Sequence, residues 1–279
     1  MGEASKAVLI TGCSSGIGRA IAERLVAGGH RVYATARRPD AIADLAGQGC
    51  ETLALDVLDD HSMRAAVARV EEAEGAVGVL VNNAGYGQSG AVEAVPIDAV
   101  RRNFETNLFG YMRMAQLVLP GMRRQGWGRI VNMSSVAGRV TMPGSGPYSA
   151  TKFAIEALSD ALRFEVRGFG IRVSIVEPGP IRSHFTATAN AGLPDAGGVY
   201  ADYHAAVAKA DAEADQSKLL AGDPEDVAKK VERAITARSP RTRYRVTVPA
   251  RLLPTIRRVL SDRGFDAFLR TQAPPPGAK

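Results

Sequence analysis

Residues 7–27 read AVLITGCSSGIGRAIAERLVA and join three features in one continuous stretch. Residues 7–11 are an apolar run typical of a buried strand, and residues 11–18 contain three glycines. Residues 16–27 then have the apolar spacing of an amphipathic helix. A glycine-rich turn between a strand and a helix lets the backbone approach a pyrophosphate, and the helix N-terminus supplies free N–H groups. The stretch favours a dinucleotide-binding unit, although its G-x-x-x-G-x-G spacing differs from G-x-G-x-x-G and a plain tight turn is the alternative.

The rest of the chain continues this alternation of strands and helices. Further strands are predicted at 31–36, 52–56, 77–82, 129–134, 171–176 and 244–248, and further helices at 62–72, 111–124 and 147–167. Such alternation predicts an α/β fold of the Rossmann type, a doubly wound seven-stranded parallel sheet with helices on both faces. Ligands then bind beyond the carboxyl ends of the strands.

We expect residues 1–279 to form one domain. Residues 184–222 follow the sixth strand, so they are predicted to project over the ligand face as a substrate lid, with an inert surface helical pair as the alternative. Asp223 and Pro224 are suited to begin the next helix as N-cap and first residue. Residues 272–279, which include three consecutive prolines, are predicted to be disordered.

Composition narrows the function classes. The net charge of +6 arises from scattered Lys and Arg, which suits a phosphate-rich small ligand better than a nucleic acid. Two cysteines and four histidines without ligand spacing predict neither a disulfide framework nor a metal site. We find neither a signal-peptide pattern nor an apolar run long enough to span a membrane, so we expect a cytoplasmic protein.

The end of the second predicted strand bears on cofactor choice. An acidic residue there would bind the ribose 2′-hydroxyl of NAD, but Arg37 and Arg38 stand in its place. Arginine is suited to bidentate phosphate contact, so NADP(H) is preferred and NAD(H) remains possible; an exposed basic turn is the alternative. Asp56-Val57 follows the third strand, where the carboxylate could accept from an adenine amino group. Asn83-Ala84-Gly85 follows the fourth, where small residues permit close cofactor approach.

Three polar residues are suited to catalyse carbonyl reduction. Ser135 ends the fifth predicted strand, Tyr148 follows 13 residues later, and Lys152 lies one helical turn beyond Tyr148. A free tyrosine has a pKa near 10, and a nearby ammonium together with a cationic nicotinamide is expected to lower it. Tyr148 is then predicted to be the general acid and base, with Ser135 orienting the substrate oxygen. A tyrosine and a lysine at this spacing often occur by chance. The prediction therefore depends on their occurring together with the glycine-rich turn, the NNAG motif and the upstream serine.

Together these motifs resemble the short-chain dehydrogenase/reductase family. The resemblance runs from about Lys6 to Phe185 and rests on TGCSSGIG (11–18), LDV (55–57), NNAG (82–85), NLFG (107–110), Ser135, YSATK (148–152) and PGPIRS (178–183). It implies that Asn107 completes a catalytic tetrad through a water linked to Lys152, and that Lys152 also holds the nicotinamide ribose. It also implies that Ser15 and Arg37 contact the 2′-phosphate.

Further cofactor contacts follow from the same resemblance. Pro178, Gly179 and Ile181 are expected to border the nicotinamide, and Ser183 stands where the family commonly has Thr beside the carboxamide. The full set of expected cofactor contacts is Gly12, Ser14, Ser15, Gly16, Ile17, Gly18, Arg37, Arg38, Asp56, Val57, Asn83, Ala84, Gly85, Tyr148, Lys152, Pro178, Gly179, Ile181 and Ser183.

Within the family the chain looks like the 17β-hydroxysteroid and retinol dehydrogenase-like branch, which implies a lipophilic ketone, aldehyde or alcohol as substrate. Loops 86–88, 136–146 and 184–222 are the expected pocket walls, with Val140, Met142, Pro143, Phe185 and Leu219 as apolar candidates. The resemblance also implies a homodimer or homotetramer, with helices 103–124 and 149–167 packing across a two-fold axis.

Three alternatives to an NADP(H)-dependent oxidoreductase stay open at this point. They are an NAD(H)-dependent dehydrogenase of the same fold, a cofactor-binding regulatory protein without turnover, and an S-adenosylmethionine methyltransferase. The regulatory alternative is disfavoured because the chain keeps all four expected catalytic residues, Asn107, Ser135, Tyr148 and Lys152. The methyltransferase alternative is disfavoured by Arg37 and by the Tyr–Lys pair.

Overall fold

Parallel strands and flanking helices make up the computed structural model, which describes residues 3–193 and 198–277. The strands are β1 (Val8–Ile10), β2 (Val32–Ala36), β3 (Glu51–Ala54), β4 (Val79–Asn82), β5 (Gly128–Met133), β6 (Ile171–Glu177) and β7 (Arg243–Arg245). The helices are α1 (Gly16–Ala27), α2 (Ala43–Gly47), α3 (Asp60–Glu74), α4 (Ile97–Phe104), α5 (Gly110–Gln125), α6 (Gly146–Glu165), α7 (Phe185–Ala191), α8 (Ala201–Gln216), α9 (Pro224–Thr236), α10 (Val248–Val259) and α11 (Asp262–Arg270).

The strands form one parallel sheet in the order β3-β2-β1-β4-β5-β6-β7. Chain order reverses between β1 and β4, which is the switch point where a doubly wound sheet binds its ligand. The Rossmann-type fold predicted from the sequence is therefore confirmed.

Both faces of the sheet are buried. Along β1, Val8 and Ile10 pack on the face covered by α1 and α9, whereas Leu9 packs on the face covered by α3 and α5. Alternate residues of one strand thus reach two separate apolar layers. Burial of each such Val, Leu or Ile side chain contributes about 1.5–3 kcal/mol to the free energy of unfolding, so the buried strands form a stable support for the residues at their ends.

The predicted elements match the observed ones closely, except at the last strand. The prediction of a strand at 244–248 is wrong at its end, because β7 stops at Arg245. Thr247 instead caps α10, where its hydroxyl accepts from the Ala250 N–H at 3.4 Å and a proline follows in the first turn. Alternating Val246 and Val248 resemble a strand pattern, but the cap and the proline favour a helix.

Residues 184–222 leave the sheet after β6 and return beside their starting point. The Arg182 N–H donates to the Gly222 carbonyl and the Gly222 N–H donates to the Pro180 carbonyl, both at 3.0 Å. The excursion carries α7 and α8, and Asp223 then begins α9, as predicted. Residues 194–197 of this segment lie outside the described residues, so its role as a lid stays a prediction.

Among the residues that the structure describes, we find no helix that combines the length and apolarity needed to cross a bilayer.

Candidate active site

A cavity of about 690 Å³ opens at the carboxyl ends of the strands. Its lining includes most of the residues predicted from the sequence, which come from five separate stretches of the chain. They are Gly12, Ser14, Ser15, Gly16, Ile17, Gly18, Asn83, Ala84, Gly85, Ser135, Tyr148, Lys152, Pro178, Gly179, Ile181 and Ser183.

The glycine-rich turn follows β1 directly. Gly12 has a φ of +76°, and a Cβ there would lie 2.8 Å from the Ala84 Cα. A Cβ at Gly18 would lie 2.2 Å from the Gly12 carbonyl oxygen and 2.4 Å from the Asn83 Nδ2. Only glycine fits these two positions, because any side chain would push α1 away from the turn.

Asn83 and Thr11 fix the shape of this turn. The Asn83 Nδ2 donates to the carbonyls of Thr11 and Gly12 at 3.0 and 3.1 Å, and the Thr11 Oγ1 accepts from the N–H groups of Asn83 and Ala84 at 3.0 Å each. The Asn83 side chain therefore holds the backbone that lines the cavity, in line with the structural role that an asparagine at a strand end or turn allows.

The N-terminus of α1 suits an anionic ligand. No side chain caps it, since Ser15 makes no capping hydrogen bond, and Ser15, Gly16 and Ile17 all line the cavity. Unpaired N–H groups at a helix start carry partial positive charge and bind phosphate. The residues of this cradle therefore fit the pyrophosphate of a dinucleotide.

Ser135, Tyr148 and Lys152 meet on the far wall of the cavity. The Lys152 Nζ donates to the Met133 carbonyl of β5 at 2.8 Å and lies 5.7 Å from the centre of the Tyr148 ring. Ser135 precedes a short helical turn and its Oγ accepts from the Ala137 N–H at 3.1 Å. A strand end and one turn of α6 thus bring together the three side chains that the sequence grouped.

Burial shifts both titratable groups of this trio toward their neutral forms. It raises the pKa of Tyr148 to about 12, while a hydrogen bond with Ser135 opposes the shift. It lowers the pKa of Lys152 to about 7, while the Glu156 carboxylate opposes the shift. Burial is the largest contribution to the pKa of Tyr148 in the protein alone, so the lowering expected beside a lysine and a cationic nicotinamide stays a prediction for the cofactor complex.

Asn107 lies behind the cavity and is fully buried. It belongs to a π-helical segment, Glu105–Phe109, between α4 and α5, and such bulges are frequent at functional sites. Its Nδ2 donates to the Tyr86 carbonyl at 2.9 Å and to the Thr151 Oγ1 at 3.2 Å, and its Oδ1 accepts from the Tyr86 N–H at 3.0 Å. These bonds tie the loop after β4 to α6 next to Lys152.

Four predicted cofactor contacts lie outside the cavity lining. Arg37 and Arg38 are exposed at the end of β2, and in the described part of the chain neither forms an ion pair. The Asp56 Oδ1 accepts from the Leu58 N–H at 3.0 Å. Val57 is buried against Gly110, so its side chain serves packing. Their roles as cofactor contacts therefore stay predictions.

The other end of the cavity is largely apolar. Phe185 packs on Tyr148 with ring centroids 5.5 Å apart, and Met142, Pro143 and Leu220 also line the space. Two expected wall residues are absent from the lining: Val140 is buried elsewhere, and Leu219 is 75% exposed.

Sequence reasoning missed the contribution of the C-terminal helices to this cavity. The additional lining residues are Val248, Pro249, Leu252, Leu253, Ile256, Phe268, Gln272 and Ala273. The helical spacing of the apolar residues in VPARLLPTI (248–256) was the signal that could have indicated a helix here. The predicted disorder of 272–279 stays a prediction, and residues 278–279 lie outside the described residues.

With this fold and site, the chain belongs to the short-chain dehydrogenase family, whose model, described as short chain dehydrogenase, matches residues 6–194. It is therefore an oxidoreductase that acts on CH–OH groups and binds a nicotinamide cofactor.

Three known proteins illustrate the similarity. A short-chain dehydrogenase from Streptomyces avermitilis superposes with a TM-score of 0.81 at 36% identity, covering 97% of each chain. A serine dehydrogenase complexed with NADP+ superposes with a TM-score of 0.75 at 28% identity, covering 86% of this chain and 93% of its own. Human 17-beta-hydroxysteroid dehydrogenase type 1 is 38% identical, covering 91% of this chain and 81% of its own.

Proposed function

We propose that the protein is an NADP(H)-dependent reductase of lipophilic ketones or aldehydes, with Tyr148 as the general acid and base. One observation carries this proposal: Ser135, Tyr148 and Lys152 line the same cavity as the N-terminus of α1, whose N-cap Ser15 makes no capping hydrogen bond. Apolar side chains make up much of the remaining wall, alongside polar ones such as Gln88, Asp211 and Asp215. The similarity to a serine dehydrogenase complexed with NADP+ supports the choice of cofactor.

The cofactor would be held by the glycine cradle of residues 12–18, by the strand ends at 83–85 and 178–183, and by Arg37 at the 2′-phosphate. When bound, it supplies the hydride that reduces the carbonyl carbon. Ser135 then donates a hydrogen bond to the substrate oxygen, and Tyr148 transfers its phenolic proton to that oxygen, which completes the alcohol.

Lys152 stabilises the tyrosinate left behind, because an ammonium beside a phenolate favours the charged form. Asn107 holds α6 in place beside Lys152 through its bond to Thr151. The raised pKa of Tyr148 keeps the phenol protonated at neutral pH, as a proton donor in reduction requires.

The cavity wall supports an apolar substrate. Phe185 covers one side of Tyr148, and α10 contributes Leu252, Leu253 and Ile256 on the other side of the opening. Similarity to a 17-beta-hydroxysteroid dehydrogenase supports the same class of substrate.

The reaction is tested by following NADPH and NADH oxidation in the presence of a panel of ketones and aldehydes of increasing apolar size. We expect kcat/KM to rise with apolar area and to be higher with NADPH. A protein that binds NADPH but turns over none of the panel would favour the regulatory alternative, and a preference for NADH would favour the NAD(H)-dependent one.

Replacement of Arg37 by Asp is expected to weaken NADPH binding about 10- to 100-fold and NADH binding no more than about threefold. A charge-assisted phosphate contact is worth about 1.5–3 kcal/mol, and an aspartate adds repulsion of the 2′-phosphate. Fluorescence titration of both cofactors measures the two dissociation constants. Arg263→Asp, at an exposed position of α11 outside the cavity lining, is the matched control and should change neither dissociation constant. Equal losses for the two cofactors would contradict the assignment of Arg37.

Exposed apolar side chains on helical segments 103–124 and 149–167, the predicted subunit interface, favour self-association. Phe109 and Met112 are 48% and 45% exposed, and Phe153 and Phe164 are 45% and 84% exposed. Large apolar side chains that are this exposed are typical of a surface that another subunit covers. We therefore propose a homo-oligomer through this face, and sedimentation velocity measures its size.

A further inference from the structure

A second cavity of about 720 Å³ lies at the free edge of the sheet, beside β7. Three elements contribute to it: the end of α9, the segment through β7, and the first turn of α10. The lining residues are Lys230, Arg233, Arg241, Thr242, Arg243, Tyr244, Arg245 and Arg251. Six of these eight residues are cationic and none is acidic, so this cavity differs in chemistry from the apolar cavity described above.

Two of the six cations, Arg243 and Arg245, are neutralised by neighbouring carboxylates, of which Glu156 and Glu177 are buried. Arg243 lies 2.9 Å from Glu156, 2.7 Å from Asp160 and 3.2 Å from Glu177. Arg245 lies 3.1 Å from Glu177, whose side chain is fully buried. These pairs anchor β7 to α6 and β6, so Arg243 and Arg245 have a structural task already.

The other four cations have no such partner. Among the described residues, no carboxylate lies within 4.0 Å of a side-chain nitrogen of Lys230, Arg233, Arg241 or Arg251. The neighbouring sequence does not compensate them either, since residues 229–279 contain 13 Lys and Arg and three Asp and Glu. Four like charges around a concave surface repel one another and focus a positive potential into it.

We propose that this cavity binds an anion with at least two phosphoryl groups. Arginine matches phosphate geometry with paired N–H donors, and Arg233, Arg241 and Arg251 approach the cavity from three different elements. The volume falls within the range of about 300–1,000 Å³ that small-molecule sites occupy. The same chemistry is offered by a soluble organic phosphate and by a diphosphorylated lipid headgroup, and the two sources are separated experimentally. This inference does not depend on the proposed reaction.

Calorimetric titration with inorganic pyrophosphate at low ionic strength tests the soluble source. We expect the double variant Arg241→Ala, Arg251→Ala to bind at least about tenfold more weakly than the unmodified chain, because each lost arginine removes a charge-assisted contact. Both residues are exposed, and the anchoring Arg243 and Arg245 are retained. Arg258→Ala, on the same helix as Arg251 but outside the cavity, is the control and should bind normally.

Pyrophosphate could also enter the cradle at α1, so the titration is repeated with saturating NADP+. Binding that survives NADP+ and is lost in the double variant supports the proposal. NADP+ itself carries phosphoryl groups that this cavity would accept, so the double variant is decisive: binding that it retains places the anion elsewhere and overturns the proposal.

Cosedimentation with phosphatidylcholine vesicles containing 20% cardiolipin tests the lipid source, with pure phosphatidylcholine vesicles as the control. Vesicle binding that requires Arg241 and Arg251 assigns a lipid headgroup. Pyrophosphate binding without vesicle binding assigns a soluble ligand. Absence of both overturns the proposal.

Discussion

Replacement of Tyr148 by Phe is expected to lower kcat for carbonyl reduction by about 10²- to 10⁴-fold, the usual contribution of a positioned general acid. The substitution keeps the ring that packs against Phe185 and removes only the phenolic hydroxyl, which carries the proton. NADPH binding should change by less than about tenfold, because one neutral hydrogen bond contributes about 0.5–1.5 kcal/mol. Stopped-flow turnover and fluorescence titration of NADPH measure the two quantities separately.

Tyr33→Phe provides the matched control. It also removes one tyrosine hydroxyl, which donates to Glu74 at 2.7 Å far from the cavity, so kcat should stay unchanged. Persisting turnover in the Tyr148 variant would show that another group delivers the proton. Joint loss of turnover and NADPH binding would instead show that Tyr148 supports the shape of the cavity.

Local sequence signals account for how much of the fold could be predicted. The glycines, the apolar run and the helical spacing of residues 7–27 lie within a few positions of one another, and α1 begins and ends where they predict. At the last strand two local signals compete, because Val246 and Val248 alternate while Thr247 and Pro249 begin a helix. The helix forms because the N-cap and the proline favour it, and the apolar alternation is too short to specify a strand.

The cofactor half of the site could also be predicted from local sequence signals, whereas the substrate half could not. Gly12, Gly16 and Gly18 lie in one motif, whereas Leu252 and Phe268 reach the cavity only because α10 and α11 fold back over it. The basic cavity is similar, since Lys230, Arg241 and Arg251 look scattered in the sequence and converge in three dimensions. Residues that are distant in the sequence meet in a cavity through tertiary packing, and tertiary packing produces no local sequence pattern.

The pKa values of the buried catalytic groups also depend on tertiary packing. From the sequence, a lysine one turn from a tyrosine and a cationic nicotinamide together predict a lower phenolic pKa, whereas in the protein alone burial raises the pKa of Tyr148. The extent of desolvation is a property of the folded cavity and has no counterpart in residue spacing.

Replacement of Gly18 by Ala is expected to lower the free energy of unfolding by about 1–3 kcal/mol, the usual cost of overpacking a well-packed site. The new Cβ would lie 2.2 Å from the Gly12 carbonyl oxygen, which belongs to the backbone and cannot rotate away. It would also displace the Asn83 amide that holds the turn, so α1 must shift and the cradle must widen. NADPH binding should therefore weaken by at least about tenfold, since phosphate contacts at a helix N-terminus require close approach.

Gly47→Ala is the control, because a Cβ at this helical position meets no atom within 4 Å. Alanine is also favoured over glycine in a helix, so this variant should be as stable as the unmodified chain or slightly more stable. Urea denaturation with and without NADPH gives both the stability and the binding. If Gly18→Ala unfolds at the same urea concentration as Gly47→Ala and binds NADPH equally well, the turn is not the close-packed cradle that the structure indicates. If it loses stability but keeps its affinity, the glycine serves the packing of α1 on β1, and the phosphate must be held from the other strand ends.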